Sequence, residues 1–159
     1  MQIRAAKIDE IQIILDFIMA LAIYEKCPEE AVATAQDIEN TFFCENPRVF
    51  CDFVEVENEI VGFVAWYLNY STWTGTHGIY VEDLFVLPEH RGKGYGKALL
   101  SHLANVCVSR GYERLQWWVL NWNQPSIEFY ESLGAKPMNE WTVMRVDEDA
   151  LTRLAGQTC

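Results

Sequence analysis

The segment Tyr80–Leu100 constrains this fold more than any other stretch, because a strand, a tight turn and a helix start follow one another without a spacer. Tyr80–Leu87 is rich in aromatic and β-branched residues and is stopped by Pro88. Gly96–Arg110 carries apolar residues at helical spacing and is ended by Gly111. Between them lies Arg91-Gly92-Lys93-Gly94-Tyr95-Gly96. A chain with that junction is an α/β protein in which a strand feeds directly into a crossover helix.

The flanking sequence supplies the remaining layers. Ile3–Ala5 reads as a first strand, and Asp9 as the cap of a helix bearing Ile11, Ile14, Leu15, Ile18, Leu21 and Ala22. Pro28 breaks that pattern, and Thr34–Phe43 fits a second helix. Phe50–Glu57 and Ile60–Leu68 read as strands joined by a tight turn at Glu57-Asn58-Glu59, with Ser71–Gly78 as a loop. Arg114–Leu120 is the next strand. Asn123–Leu133 is a short helix, with Pro125 in its first turn and Gly134 at its end. Val143–Val146 completes the strands, and Asp149–Leu154 forms a helical tail. The order β-α-α-β-β-β-α-β-α-β describes a mixed sheet flanked by helices, with parallel crossovers around the Gly96 and Asn123 helices. With 159 residues, half of them hydrophobic, residues 1–159 suit one domain with one core.

The glycine turn is built to hold an anion. Glycines let the backbone come close to a ligand, and successive N–H groups at a helix start converge where the helix dipole is positive. Arg91, Lys93 and Lys97 add charge. A dinucleotide fingerprint would need glycine where Lys97 stands. A phosphate-binding P-loop would need glycine at Arg91 and a hydroxyl residue at Ala98. Neither fits.

Charge and cysteine usage narrow the partners. A net charge of −11 repels nucleic acid and favours cationic ligands such as amines. The five cysteines, Cys27, Cys44, Cys51, Cys107 and Cys159, form no C-x-x-C pair, and the three histidines lack metal-ligand spacing. No secretory leader and no membrane-length apolar run is visible. These features suit a reduced, cytoplasmic protein with neither metal, membrane nor nucleic-acid partners.

Arg91–Gly96 fits Arg-x-x-Gly-x-Gly and resembles the pyrophosphate-binding turn of the GCN5-related N-acetyltransferases. The chain is similar in particular to the diamine (spermidine/spermine) and thialysine acetyltransferase branch. The matching segments are Ala22–Glu25, Val61–Val64, Tyr80–Val86, Arg91–Gly96 and Trp122–Tyr130, in that order. The resemblance implies a mostly antiparallel mixed sheet, acetyl-CoA as donor and a homodimer. It implies that the backbone of Leu84, Phe85 and Val86 pairs with the pantetheine arm as an added strand. Arg91, Gly92, Lys93, Gly94, Tyr95, Gly96 and Lys97 would hold the pyrophosphate, although Lys97 stands where a small polar residue is common. Asn123, Gln124, Pro125, Ser126 and Tyr130 would meet the cofactor from the second helix. Tyr24, Glu25 and Glu82 would line the acceptor pocket, with Gln116 and one of Trp117 and Trp118, which strand alternation points to opposite faces.

Acetyl transfer needs a neutral amine. A substrate ammonium with a pKa of about 10.4 is neutral in roughly one molecule in a thousand at pH 7, a cost on the order of 4–5 kcal/mol. A carboxylate that binds the cation and then takes its proton, directly or through water, meets that need, and the resemblance gives Glu82 this task. Period-2 alternation places Asp83 on the opposite side of the strand. The departing thiolate needs a proton, and the resemblance gives Tyr130 the role of acid. The developing oxyanion has no side-chain donor in sight, leaving a backbone N–H of Leu84–Val86. Glu25 and Glu82 together suit the two cationic ends of a diamine. Thialysine also carries a carboxylate, for which Arg48 or Arg145 is a candidate. Acetylation of protein lysines or N-termini and non-catalytic acyl-CoA sensing are the remaining readings.

Overall fold

The computed structural model describes residues 1–156, so Cys159 lies outside the described residues. They form two compact units, Met1–Trp118 and a second one from Val119 onward. The first holds β1 (Gln2–Ala5), α1 (Ile11–Glu25), α2 (Ala35–Phe42), β2 (Val49–Val56), β3 (Glu59–Ser71), β4 (Thr76–Val86), α3 (Tyr95–Arg110) and β5 (Leu115–Gln116). The strands lie side by side in the order β1-β2-β3-β4-β5. All neighbours are antiparallel except β4 and β5, which run parallel around α3. The α/β fold with a mixed, mostly antiparallel sheet is the one expected.

Local chemistry sets the helix starts. Thr34 and Asp37 form a reciprocal box at the start of α2: the Asp37 N–H donates to Thr34 Oγ1 at 3.2 Å, and the Thr34 N–H donates to the Asp37 carboxylate at 2.9 Å. Asp9 is not the cap of α1. A turn of 3-10 helix, Ile8–Glu10, precedes the helix. There the Glu10 carboxylate accepts from the Lys7 N–H at 2.8 Å and binds Arg4 at 2.7 Å. That buttress holds the Glu10 carboxyl below its ordinary pKa, with the Arg4 hydrogen bond as the main cause.

α1 and α2 cover one face of the sheet. Ile14, Phe17 and Ile38 pack there on Cys51, Phe53, Phe63, Ala65 and Phe85, and Phe17 stacks on Phe63 with ring centroids 5.1 Å apart. Alternation sends Val54, Val64 and Trp66 to the other face, where α3 contributes the buried Leu99 and Leu103. Each such side chain contributes about 1.5–3 kcal/mol when fully buried. The buried Asp52 carboxylate accepts a hydrogen bond from Trp66 Nε1 at 2.7 Å, as a buried charge requires.

Three expectations about strands are corrected. The Ser71–Gly78 loop is mostly ladder: β3 and β4 stay paired out to Ser71 opposite Thr76. Aromatic pairs across the ladder, Tyr67 on Tyr80 and Tyr70 on His77, support this extension. The Arg114–Leu120 strand contracts to Leu115–Gln116, which pair only with Ile79 and Tyr80. Val143–Val146 is not a strand. Its residues are exposed and have no ladder partner among the described residues. The second unit instead holds α4 (Gln124–Ser132) and α5 (Glu148–Ala155). An alternating apolar pattern marks a segment able to pair, but only a neighbouring strand edge makes it one.

Gly62 is required by close approach of two strands. A Cβ there would lie 2.8 Å from the Phe85 carbonyl oxygen and 3.1 Å from Val54 Cγ1. Gly62→Ala is expected to destabilise the protein by about 1–3 kcal/mol, the usual cost of overpacking. Thermal unfolding checks this, and an unchanged Tm would show that β3 and β4 separate without penalty.

Candidate active site

A β-bulge in β4 organises the site. Asp83 pairs with Ala65 and Val81 with Trp66, so Glu82 is an extra residue with no opposite number. On β3, Ala65 and Tyr67 share the face covered by α1. Their partners Asp83 and Tyr80 therefore share that face although they lie three residues apart, which unbroken alternation forbids. The Glu82 charge acts on both Tyr67 and Asp83. The inserted residue cancels one step of the pleat between Tyr80 and Asp83, and the Glu82 charge still reaches the Asp83 carboxyl.

Glu25, the last residue of α1, brings a third carboxylate. Burial raises its pKa above the ordinary glutamate value. Asp83 is half-buried, and its carboxyl is pushed up to about 6, first by desolvation and then by the charges of Glu82 and Glu25. Among the described residues none of the three makes an ion pair. Aromatic rings stand beside them. Tyr67 stacks on Tyr80 at 5.0 Å, and Trp118 meets Tyr80 edge-on at 5.7 Å. Burial and the Glu82 charge raise the Tyr67 phenol. Trp118 is 55% exposed and Trp117 is half-buried, so Trp118 is the tryptophan that offers its surface to solvent. Gln116, also exposed, accepts from Asn69 Nδ2 at 3.3 Å.

β4 continues past the last residue paired with β5. Beyond Tyr80 its edge on that side has no strand neighbour among the described residues. The Leu87 N–H donates to the Val61 carbonyl at 3.0 Å, so by alternation the backbone groups of Phe85 are spent on β3. Those of Leu84 and Val86 face the open edge. Of the three residues expected to pair with an added strand, two offer their backbone groups there. The Phe85 side chain lies in the core under α1.

The edge leads into the glycine turn. Gly92 and Gly94 have φ of 75° and 86°, a region that side chains other than glycine rarely adopt. A Cβ on either would meet nothing within 4 Å, so the turn faces open space. Gly94 is the N-cap of α3 and brings no side chain, so the helix's first N–H groups have no side-chain cap. Lys93 and Lys97 are exposed, while Tyr95 and Gly96 are half-buried in the first turn of α3. This cradle fits a phosphorylated cofactor: it has free donors, room and positive charge. The Arg91 side chain lies back on the protein instead. Its guanidinium carbon is 4.7 Å from the Tyr24 ring centroid and 5.0 Å from that of Phe85, and its Nε donates to the Val86 carbonyl at 3.0 Å.

The remaining expected residues belong to the second unit. Asn123 is buried and forms the N-cap of α4, where its carbonyl accepts from the Ser126 and Ile127 N–H groups at 3.1 Å. Pro125 sits in the first turn, where its missing N–H costs nothing. Exposed Gln124 donates to Glu128 at 3.2 Å, and Ser126 is half-buried. Tyr130 lies in the last turn of α4, half-buried beside Phe129, with ring centroids 5.3 Å apart. Tyr67, Tyr80 and Asp83 were missed as site residues. The cross-strand register that gathers them leaves no local signal, and the bulge leaves none either.

Comparison with known proteins agrees with this geometry. Residues 17–135 match the family described as Acetyltransferase (GNAT) family. The chain is similar to thialysine N-epsilon-acetyltransferase of Sus scrofa, with 34% identity over 98% of this chain and 97% of that enzyme. It is 30% identical to the spermidine/spermine N(1)-acetyltransferase-like protein 1 of Homo sapiens, over 98% of this chain and 24% of that protein. Among solved structures, an integron cassette protein from the mobile metagenome of V. cholerae superposes with a TM-score of 0.80 at 27% identity, covering 98% of each chain.

The Asp83 carboxyl makes stability depend on pH. Its folded pKa of about 6 lies above the ordinary aspartate value, so the folded form holds the proton longer than the unfolded form. Stability contributed by that proton is present below about pH 4 and is lost as pH rises through about 6. The effect is at most about 3 kcal/mol and is reduced by residual hydration. Asp83→Asn is expected to raise Tm by a few degrees at pH 8 and to leave it unchanged at pH 4, measured without amine. Equal Tm values for the two proteins at pH 8 would mean that Asp83 is not desolvated.

Proposed function

The chain belongs to the acetyltransferase (GNAT) family, and from there we propose that it transfers an acetyl group from acetyl-CoA to a primary amine of a small cationic acceptor, a polyamine or diamine such as spermidine or spermine. One observation carries this reading: the charges of Glu82 and Glu25 act on Asp83 without a counter-cation, beside an open strand edge that leads to the glycine cradle. Three carboxylates suit an acceptor with more than one positive charge. The aromatic surfaces of Tyr67 and Trp118, both packed on the buried Tyr80, suit its aliphatic stem and its ammonium groups.

Acetyl-CoA, when bound, supplies an activated acetyl thioester. The chain holds it with the backbone of Leu84 and Val86 as an added strand, and with the N–H groups of Gly92 to Lys97 at the pyrophosphate. Asn123, Gln124, Pro125 and Ser126 complete its contacts, a role that rests on the resemblance of Trp122–Tyr130. Glu25 and Asp83 hold the acceptor's distal charge. Glu82, exposed at the bulge, takes the proton of the reacting ammonium, directly or through water. Tyr130 gives its phenol proton to the leaving sulfur. Both structural units serve this one domain, a reading supported by the family match, which runs across their boundary. The same reading has the protein acting as a homodimer in the cytoplasm. No helix among the described residues is long and apolar enough to cross a membrane.

Acetylation of thialysine is the second reading, favoured by the full-length relative of that name. It requires a cation for the amino acid's carboxylate, and Arg48 and Arg145 are the candidates.

Thiol release from acetyl-CoA with spermidine, spermine, putrescine, thialysine and a lysine peptide tests this reading. Turnover is expected to be fastest with the polyamines. Thialysine alone as substrate would select the second reading, and tight CoA binding without turnover would make the protein a sensor. Tyr130→Phe is expected to lower kcat by about 10²-fold or more while leaving the acetyl-CoA Kd within about twofold. Near wild-type turnover in that variant would remove Tyr130 from the role.

A further inference from the structure

The structure assigns Arg91 to positioning the acceptor pocket rather than to holding the cofactor's pyrophosphate. This rests on the proposed reading, in which the glycine turn holds acetyl-CoA and Tyr24 borders the acceptor. The backbone of Arg91 belongs to the turn: it is extended, and its N–H donates to the Pro88 carbonyl at 3.2 Å. The side chain points elsewhere. The guanidinium packs against both the Tyr24 and Phe85 rings, which meet each other edge-on at 6.3 Å. Nε is committed to the Val86 carbonyl.

Each contact has a consequence. Phe85 is buried in the close-packed core, so a guanidinium packed against it is a firm platform for Tyr24. Tyr24 immediately precedes Glu25 at the end of α1, where Lys26 turns the chain into the left-handed region at φ 68°. Holding the Tyr24 ring therefore also holds the helix end that carries Glu25. The bond to Val86 takes up one carbonyl on the open edge. An added strand then finds the Leu84 N–H and carbonyl and the Val86 N–H without other strand partners, whereas the Val86 carbonyl already accepts from Arg91. Arg91 thus marks where the cofactor's arm leaves the strand, and the same group braces the neighbouring acceptor wall.

Lysine separates this role from an anion contact. Arg91→Lys keeps the positive charge beside the turn but loses the planar group that packs on two rings and the Nε donor. Acetyl-CoA Kd is measured by calorimetry, and KM is measured for spermidine and for thialysine. The expected result is an acetyl-CoA Kd within about threefold of wild type and an amine KM raised by about tenfold, with Tm within a few degrees. Tyr24→Leu should give the same split. In the double variant the two effects should not add, because both remove one interaction. A tenfold or greater loss of acetyl-CoA affinity with an unchanged amine KM would return Arg91 to the pyrophosphate. Additive KM effects would also overturn the assignment. Failure of the underlying reading looks different: the wild-type protein would then bind no acetyl-CoA or turn over neither amine.

Discussion

One inserted residue organises the functional face of this protein. The bulge at Glu82 adds a step to β4 that β3 does not match, and pleat alternation is reset at that point. Upstream of it Tyr80 faces Tyr67, and downstream Asp83 faces the same side beside Ala65. Without the insertion, Tyr80 and Asp83 would lie on opposite faces. Bulges also increase local twist, and β5 parts from β4 after Tyr80, just before the bulge. The acidic face and the open strand edge therefore arise at the same place in one strand.

The cost of this arrangement is electrostatic. Burial raises the Glu25 and Asp83 carboxyls, and the charges of Glu82 and Glu25 raise Asp83 further with no cationic partner to offset them. Cys51 lies in the same row across the sheet, opposite Ala65, which is opposite Asp83. Burial and the charges of Asp52, Asp83 and Glu10 push its thiol far up, so it behaves as a core residue and not as a nucleophile. A cationic acceptor relieves the strain among the carboxylates. Ligand affinity and apo stability then oppose each other, as is usual where a site is prepared for a charge that it does not itself contain.

Rigid packing lies beneath the site. Phe85 belongs to the core with Phe17 and Phe63, while its neighbours Leu84 and Val86 present backbone groups to the open edge. Gly62 allows β3 to approach close to the Phe85 carbonyl. β4 is thereby anchored on one edge and one face, and its other edge is available beyond Tyr80. The glycine turn then places the start of α3 directly beyond it, in the left-handed geometry that Gly92 and Gly94 permit.

Much of this was legible in the chain itself, and for a definite reason. The strand, the glycine turn and the helix of Tyr80–Leu100 are local features, as are the apolar period of α1 and the Thr34–Asp37 cap, so residue order alone determined them. The motif segments likewise determined the family and the chemistry it carries. Strand register, the bulge and the extent of β5 depend on which residues lie opposite across the sheet, and those partners are remote in sequence. Only the tertiary structure decided that Asp83 joins Glu82 and Glu25, that Tyr67 and Tyr80 stand beside them, and that Arg91 turns from the anion cradle to Tyr24. Alternation along a strand is a local rule, and one unpaired residue, detectable only against its neighbour strand, is enough to invert it.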